Sequence, residues 1–225
     1  MVIIKVTPAN RPAVLCRAGA LLRRGWVVVY PTDTAYALGG RFDDPQVRRK
    51  ILAIKQRTDR KFTLVAADLP QVKRFFRLNR WADSLTRKLW PGPLSLVVNR
   101  RYAVRVPTHS LARALAALAG SPLIATSANI SGQKIPYSVQ AVLRQFKNSK
   151  ILPDLIFDSG PLQPKKPSTI VEVLSSGQIV ILRNGPISAR SIGSSQSSTA
   201  HGEDRLKSIC PDSVSLDGKC LEAEE

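Results

Sequence analysis

An α/β domain with helices flanking a mixed β-sheet is the architecture that this 225-residue chain predicts. Three observations predict it. Short runs rich in β-branched residues, such as "WVVVY" at 26–30, alternate with segments of helical period. Two such runs near the end, "STIVEVL" and "QIVILR", face each other across Ser175-Ser176-Gly177 as a closing hairpin. A composition of 44% hydrophobic and 22% charged residues belongs to a chain that folds around a core, and the length suffices for one substantial domain.

In order, "VIIKV" (2–6) reads as a strand. Residues 10–25 read as a helix with Asn10 as cap, Pro12 in its first turn and Gly25 just past its end. "WVVVY" is apolar on both faces, the pattern of a strand covered on each side. A helix over 44–57 has Asp44 as cap and Pro45 in the first helical position. "FTLVAA" (62–67) is a strand, helical patterns follow at 68–78 and 80–90, and "WPGP" stops the second. Strands 94–98 and 103–107 are joined by the short basic link Asn99-Arg100-Arg101-Tyr102. A helix over 110–120 ends at Gly120, a strand follows at 123–125, and Ser138 caps "VQAVLRQF" before the strand "LIFD".

The chain carries a formal charge of +18, unevenly distributed. Residues 189–225 hold four Lys/Arg and seven Asp/Glu, which leaves 30 basic and nine acidic residues in 1–188. A body so basic attracts RNA, DNA or nucleotide phosphates; a generally basic soluble surface is the other reading. The domain is expected to occupy 1–188. From Ala189 the chain turns Ser- and Gly-rich and then acidic, so 189–225 is expected to be a disordered tail. Three cysteines and two histidines match no zinc spacing and no disulfide framework, so no metal site is expected. With no membrane-length apolar run and no signal-peptide pattern at the N-terminus, a soluble cytoplasmic protein is expected.

Four polar clusters sit at strand ends: "PTDTAYALG" after 26–30, "KQR" before 62–67, "TSANISG" after 123–125, and "KKPSTI" entering the hairpin. In α/β sheets, ligands settle beyond strand ends, where chain reversals leave a crevice. Each cluster also has a plain reading. "TSANISG" is a loop capped by Asn129 and turned at Gly132. Lys55 and Arg57 at a helix C-terminus complement the helix dipole. Arg105 could pair with an acid, and His109 belongs with the start of the 110–120 helix.

Taken together and in this order, the clusters resemble the YrdC-like threonylcarbamoyl-AMP synthase family. "YPTDTAYALGG", "IKQR", "LWPGPLSLV", "AVRVPTHSLA", "ATSANISG", "PSTIVEV" and "ILRNGPI" are similar to its motifs over roughly residues 8–188. The resemblance implies a twisted mixed sheet of RNA-binding type with a concave basic cleft. It further implies an enzyme that joins L-threonine, bicarbonate and ATP into threonylcarbamoyl-adenylate, releasing pyrophosphate, with Mg2+ accompanying ATP. A partner transferase then modifies tRNA beside the anticodon. By the same resemblance, Lys55, Arg57, Ser127 and Asn129 are catalytic and bind ATP together with Arg183, while Thr32, Thr34, Arg105 and Ser168 bind threonine. Chemistry supports the assignment. Adenylation needs cations facing the departing pyrophosphate, and the planar fork of Arg105 suits a carboxylate.

Ala35, Ala37, Thr58 and "RKFTLV" look instead like the related YciO branch, which usually lacks the Ser-x-Asn element kept here. The link at 99–102 is shorter than the family's cleft-lining loop. The alternative function is a non-catalytic protein of the same fold that binds tRNA or double-stranded RNA through shape and phosphate contacts.

Overall fold

Strand β2 (Val28–Pro31) shows how the core is divided. Side chains alternate across a strand: Val27 and Val29 pack into one apolar cluster, Val28 and Tyr30 into another. All four are completely buried. The structure is a computed structural model that describes residues 1–193. Around β2 run β1 (Val2–Lys5), α1 (Arg11–Arg23), β3 (Tyr36–Gly39), α2 (Pro45–Lys55), β4 (Phe62–Val65), α3 (Leu69–Phe75) and α4 (Arg80–Leu89). There follow β5 (Leu94–Val97), β6 (Tyr102–Arg105), α5 (Ser110–Ala119), β7 (Leu123–Ile124), β8 (Thr126–Ser127) and α6 (Val139–Phe146). The last elements are β9 (Leu155–Asp158), β10 (Thr169–Val173), β11 (Ile179–Arg183) and the short helix α7 (Ala189–Ile192).

The strands form two mixed sheets, in the orders β1-β9-β2-β3-β8 and β11-β10-β5-β6-β4-β7. The segment at 123–127 belongs to both. Leu123 and Ile124 pair with β4, while Thr126 and Ser127 pair with β3. The change of sheet explains the abrupt change of residue type after Ile124: the apolar pair is buried in one sheet and the hydroxyl pair is half-exposed in the other. At the crossing, a side chain on Gly39 would drive its Cβ into the Ile124 carbonyl oxygen, so only glycine fits.

Helices α1 and α5 pack with the second cluster, and α2 and α6 with the first. Asp44 caps α2, its Oδ1 accepting from the amides of Gln46 (2.8 Å) and Val47 (3.4 Å). Asn99 closes the β5–β6 link by accepting from the amides of Arg101 and Tyr102, both at 2.9 Å. Asn10 stands at the start of α1, but its side chain does not cap it. It turns backwards instead, accepting from the Thr7 amide and donating to the Lys5 carbonyl.

Strands β3 and β8 lie where polar clusters were expected, and the expected single sheet is two. Helix α3 stops at Phe75, short of 78. The first residues assigned to the tail form α7, capped by Ser188, and Ile192 is buried in a cluster with Ala82, Leu85, Leu94, Leu96 and Val171. The rest of the expected tail, 194–225, lies outside the described residues.

Candidate active site

The site begins at the C-terminal end of α2. Gln56, in the left-handed conformation (φ 52°, ψ 47°), ends the helix and reverses the chain, so Lys55 and Arg57 leave in different directions. Lys55 turns inward and is 3% exposed. Its ammonium donates to the carbonyls of Ser127 (2.7 Å) and Asn129 (2.9 Å) and to Asn129 Oδ1 (3.1 Å). An ammonium has three N–H donors, so all three are used on one loop. Burial, with the nearby Arg57 charge second, pulls the Lys55 pKa down to about 8.

Arg57 instead reaches a cavity of about 330 Å³. Its Nη2 donates to the Lys61 carbonyl at 2.7 Å, its guanidinium lies 4.9 Å from the Phe62 ring centre, and its Nε is buried without a hydrogen-bond partner. Burial lowers its pKa from the ordinary guanidinium value, partly opposed by Asp59. Thr32, Thr34, Tyr36, Lys61, Arg105, Ser127, Tyr137, Lys165, Ser168 and Arg183 also line this cavity. Five lining residues are basic and none is acidic. An adjoining cavity of about 380 Å³ shares Lys61, Phe62 and Thr63 with it and continues past Arg100, Arg101 and Tyr102.

Thr32 is buried and its hydroxyl is committed to its own turn. It donates to the Ala35 carbonyl (2.8 Å) and accepts from the amides of Thr34 and Ala35 (both 3.2 Å). Arg105, at the end of β6, has Nη2 3.4 Å from Thr34 Oγ1 and Nη1 3.0 Å from the Asp33 carboxylate. Ser168 Oγ lies 2.7 Å from Ser95 Oγ, and its carbonyl accepts from Nε (3.1 Å) and Nη2 (2.8 Å) of Arg183. Burial, then the Arg105 charge, lowers the Arg183 pKa. Ser127 Oγ donates to Asn129 Oδ1 at 2.5 Å, and Asn129 Nδ2 donates to the Gln133 carbonyl at 2.6 Å. His109 caps α5, its Nδ1 accepting from the Ala112 amide at 3.4 Å.

Seven of the nine residues singled out from sequence therefore meet on one cavity: Thr32, Thr34, Arg57, Arg105, Ser127, Ser168 and Arg183. Lys55 and Asn129 are joined to that group but stand behind the wall, absent from the lining. Asp33, Lys165 and Tyr137 were not singled out. Asp33 and Lys165 at least lie inside the clusters "PTDT" and "KKPST"; Tyr137 carries no local signal.

The Sua5/YciO/YrdC family model, described as "Telomere recombination", matches residues 20–185. The chain belongs to that family. It is 33% identical over 180 residues to a threonylcarbamoyl-AMP synthase of Chromobacterium violaceum, a match covering 73% of this chain and 90% of the relative. The solved structure of P. abyssi Sua5 complexed with L-threonine is similar at a TM-score of 0.75 and 30% identity, over 85% of this chain and 60% of that one. The chain thus spans less than two thirds of that relative. E. coli YciO is similar at a TM-score of 0.70 and 26% identity, over 85% of this chain and 98% of that one. The likeness to both confirms the α/β fold with twisted mixed sheets and flanking helices.

Proposed function

We propose that this member of the Sua5/YciO/YrdC family is an L-threonylcarbamoyl-adenylate synthase. The observation that carries the reading is one cavity in which Arg57, Arg105, Lys165 and Arg183 converge on small hydroxyls with no acid in the lining. The relative named threonylcarbamoyl-AMP synthase and the Sua5 structure with L-threonine support the same reading.

The chemistry is an adenylation in two steps. The threonine nitrogen bonds to the carbon of bicarbonate, and water leaves. An oxygen of the resulting carbamate then attacks the α-phosphorus of ATP, the α–β phosphoanhydride bond breaks, and pyrophosphate departs. Arg105, with Thr34 and Ser168 beside it, receives the threonine carboxylate. Arg57, Arg183 and Ser127 face the phosphates, where cations stabilise the charge moving onto the leaving group. Lys55 and Asn129 act by shaping the loop that presents Ser127. Because the lining offers no carboxylate among the described residues, Mg2+ would arrive held by the ATP phosphates. Holding three reactants together supplies much of the acceleration. The product would pass to a transferase that modifies tRNA beside the anticodon, in the cytoplasm. No helix among the described residues is long and apolar enough to cross a membrane.

The test is pyrophosphate release from ATP and bicarbonate, with and without L-threonine. Threonine-dependent release with incorporation of labelled bicarbonate is expected; release that ignores threonine, or none at all, refutes the proposal. The charge of +18 and the likeness to E. coli YciO favour a second reading, an RNA-binding protein without catalysis. That reading requires salt-sensitive binding of duplex RNA or tRNA in a chain inert to ATP.

A further inference from the structure

The turn between β2 and β3 is pinned by Thr32, whose hydroxyl binds three backbone groups of that turn. The next residue, Asp33, is thereby held against Arg105 at the end of β6. Their atoms approach to 3.0 Å, with the two side chains only 12% and 6% exposed. The contact is Coulombic but poorly directed: neither Asp33 Oδ1 nor Arg105 Nε has a hydrogen-bond partner. Arg105 lines the cavity and Asp33 does not. Asp33 therefore contacts the guanidinium without lining the cavity, and leaves Arg105 donor capacity to spend on a ligand.

The pair also sets Arg105 apart from the other cations of the cavity. Among the described residues, Arg57, Lys165 and Arg183 carry no ion pair with a carboxylate, whereas Arg105 is largely offset by Asp33. Arg105 itself therefore presents a fork whose charge is locally offset, which suits a singly charged carboxylate, with the Arg183 charge close enough to be felt. The other three keep cationic charge free of carboxylate contact, which suits a polyphosphate. Discrimination between two anions needs a feature that disfavours the wrong one as well as one that attracts the right one.

We infer that Asp33 is a positioning and specificity residue of the cavity: its charge holds Arg105 in place for a substrate carboxylate and disfavours phosphate groups beside it. The inference rests on the amino-acid reading of the cavity proposed above. It goes beyond that reading by assigning a role to a residue that touches no substrate.

The test is threonine and inorganic pyrophosphate titrated separately against the full chain and its Asp33→Asn and Asp33→Glu variants, with steady-state rates alongside. A neutral amide in place of the carboxylate no longer offsets the guanidinium charge and holds it more weakly. Asp33→Asn should raise the apparent threonine KM about ten- to hundred-fold, with a smaller change in kcat at saturating threonine. The same variant should bind pyrophosphate several-fold more tightly, because one local negative charge is gone. Asp33→Glu restores the carboxylate and should bring both values back toward those of the parent. Opposite movements of the two ligands, reversed by glutamate, are not what general loosening of a fold produces. Parallel weakening of both ligands in Asp33→Asn, or no change in either, overturns the inference. Should the parent chain bind no threonine, the amino-acid reading falls, and the pyrophosphate comparison still decides whether Asp33 screens Arg105.

Discussion

Lys55 carries a cation into a nearly closed site and uses every donor on the loop that holds Ser127. Its removal should act in two ways. In Lys55→Met, two carbonyls and the Asn129 side chain lose a charged donor, which should cost about 1–3 kcal/mol of stability, measurable by denaturant unfolding. Nucleotide affinity should fall as well, since Ser127 is no longer held at the cavity wall. A variant with full stability and weak ATP binding would instead make Lys55 a direct phosphate contact. The motif "KQR" named Lys55 as a site residue, but a one-dimensional pattern does not show which way a side chain leaves a helix end; the left-handed Gln56 decides that. Asp33 was hidden for a related reason. Its partner lies on another strand, in the second sheet, and nothing near "PTDT" announces Arg105.

At the scale of elements, two helix ends can be tested. Gln56 is the one non-glycine residue with positive φ among the described residues. Its conformation costs an L-residue more than it costs glycine, so Gln56→Gly should stabilise the domain by up to about 1 kcal/mol, read as a higher melting temperature. At the start of α5, His109 caps through an unprotonated Nδ1. Burial, reinforced by Arg11, Arg105 and Lys165 and opposed by Asp33, holds its pKa below the ordinary 6.5. The native chain then binds fewer protons than the unfolded one between the depressed value and 6.5. The stabilisation is present in full above pH 6.5 and is lost as pH falls through the native value. Melting temperature should decline on acidification below pH 6.5, and less steeply in His109→Asn, which caps without titrating there. The helices and the longer strands were legible because apolar periodicity reports burial directly. The elements β3 and β8 were not: "YALG" is buried on both faces and too short to show a period, and "TS" is polar yet hydrogen-bonded in a sheet.

At the scale of the whole molecule, the domain is closed near its end by Ile192, which is 5% exposed. A chain ending at Gly193 should keep the stability of this packing, whereas one ending at Ser188 loses α7. That loss should cost about 1.5–3 kcal/mol, the value of burying one such side chain, and thermal melts of the two truncations would measure it. Equal melts would mean that Ile192 contributes nothing to the third apolar cluster. Composition placed the boundary at 188 because "SARSIG" has too few apolar residues to signal a helix; a single isoleucine over an existing hydrophobic surface is enough to dock one turn.

The crossing of the chain at 123–127 has a consequence for how ligands arrive. The cavity walls belong to different sheets: Tyr36, Ala37 and Ser127 on one side, Thr63, Arg105 and Arg183 on the other. Those sheets are sewn together by five consecutive residues. Ala125 donates to the Thr63 carbonyl, Ile124 donates to the Gly40 carbonyl, and Gly39 lies flush against Ile124. Such a seam denies the domain the jaw-like gape of proteins whose two halves swing on a hinge. The spacing of the walls is set once, when the chain folds, and entry and exit depend on the rim of the cavity. Capture of a small ligand should then follow a single exponential whose rate rises linearly with ligand concentration, with no plateau from a slow closing step.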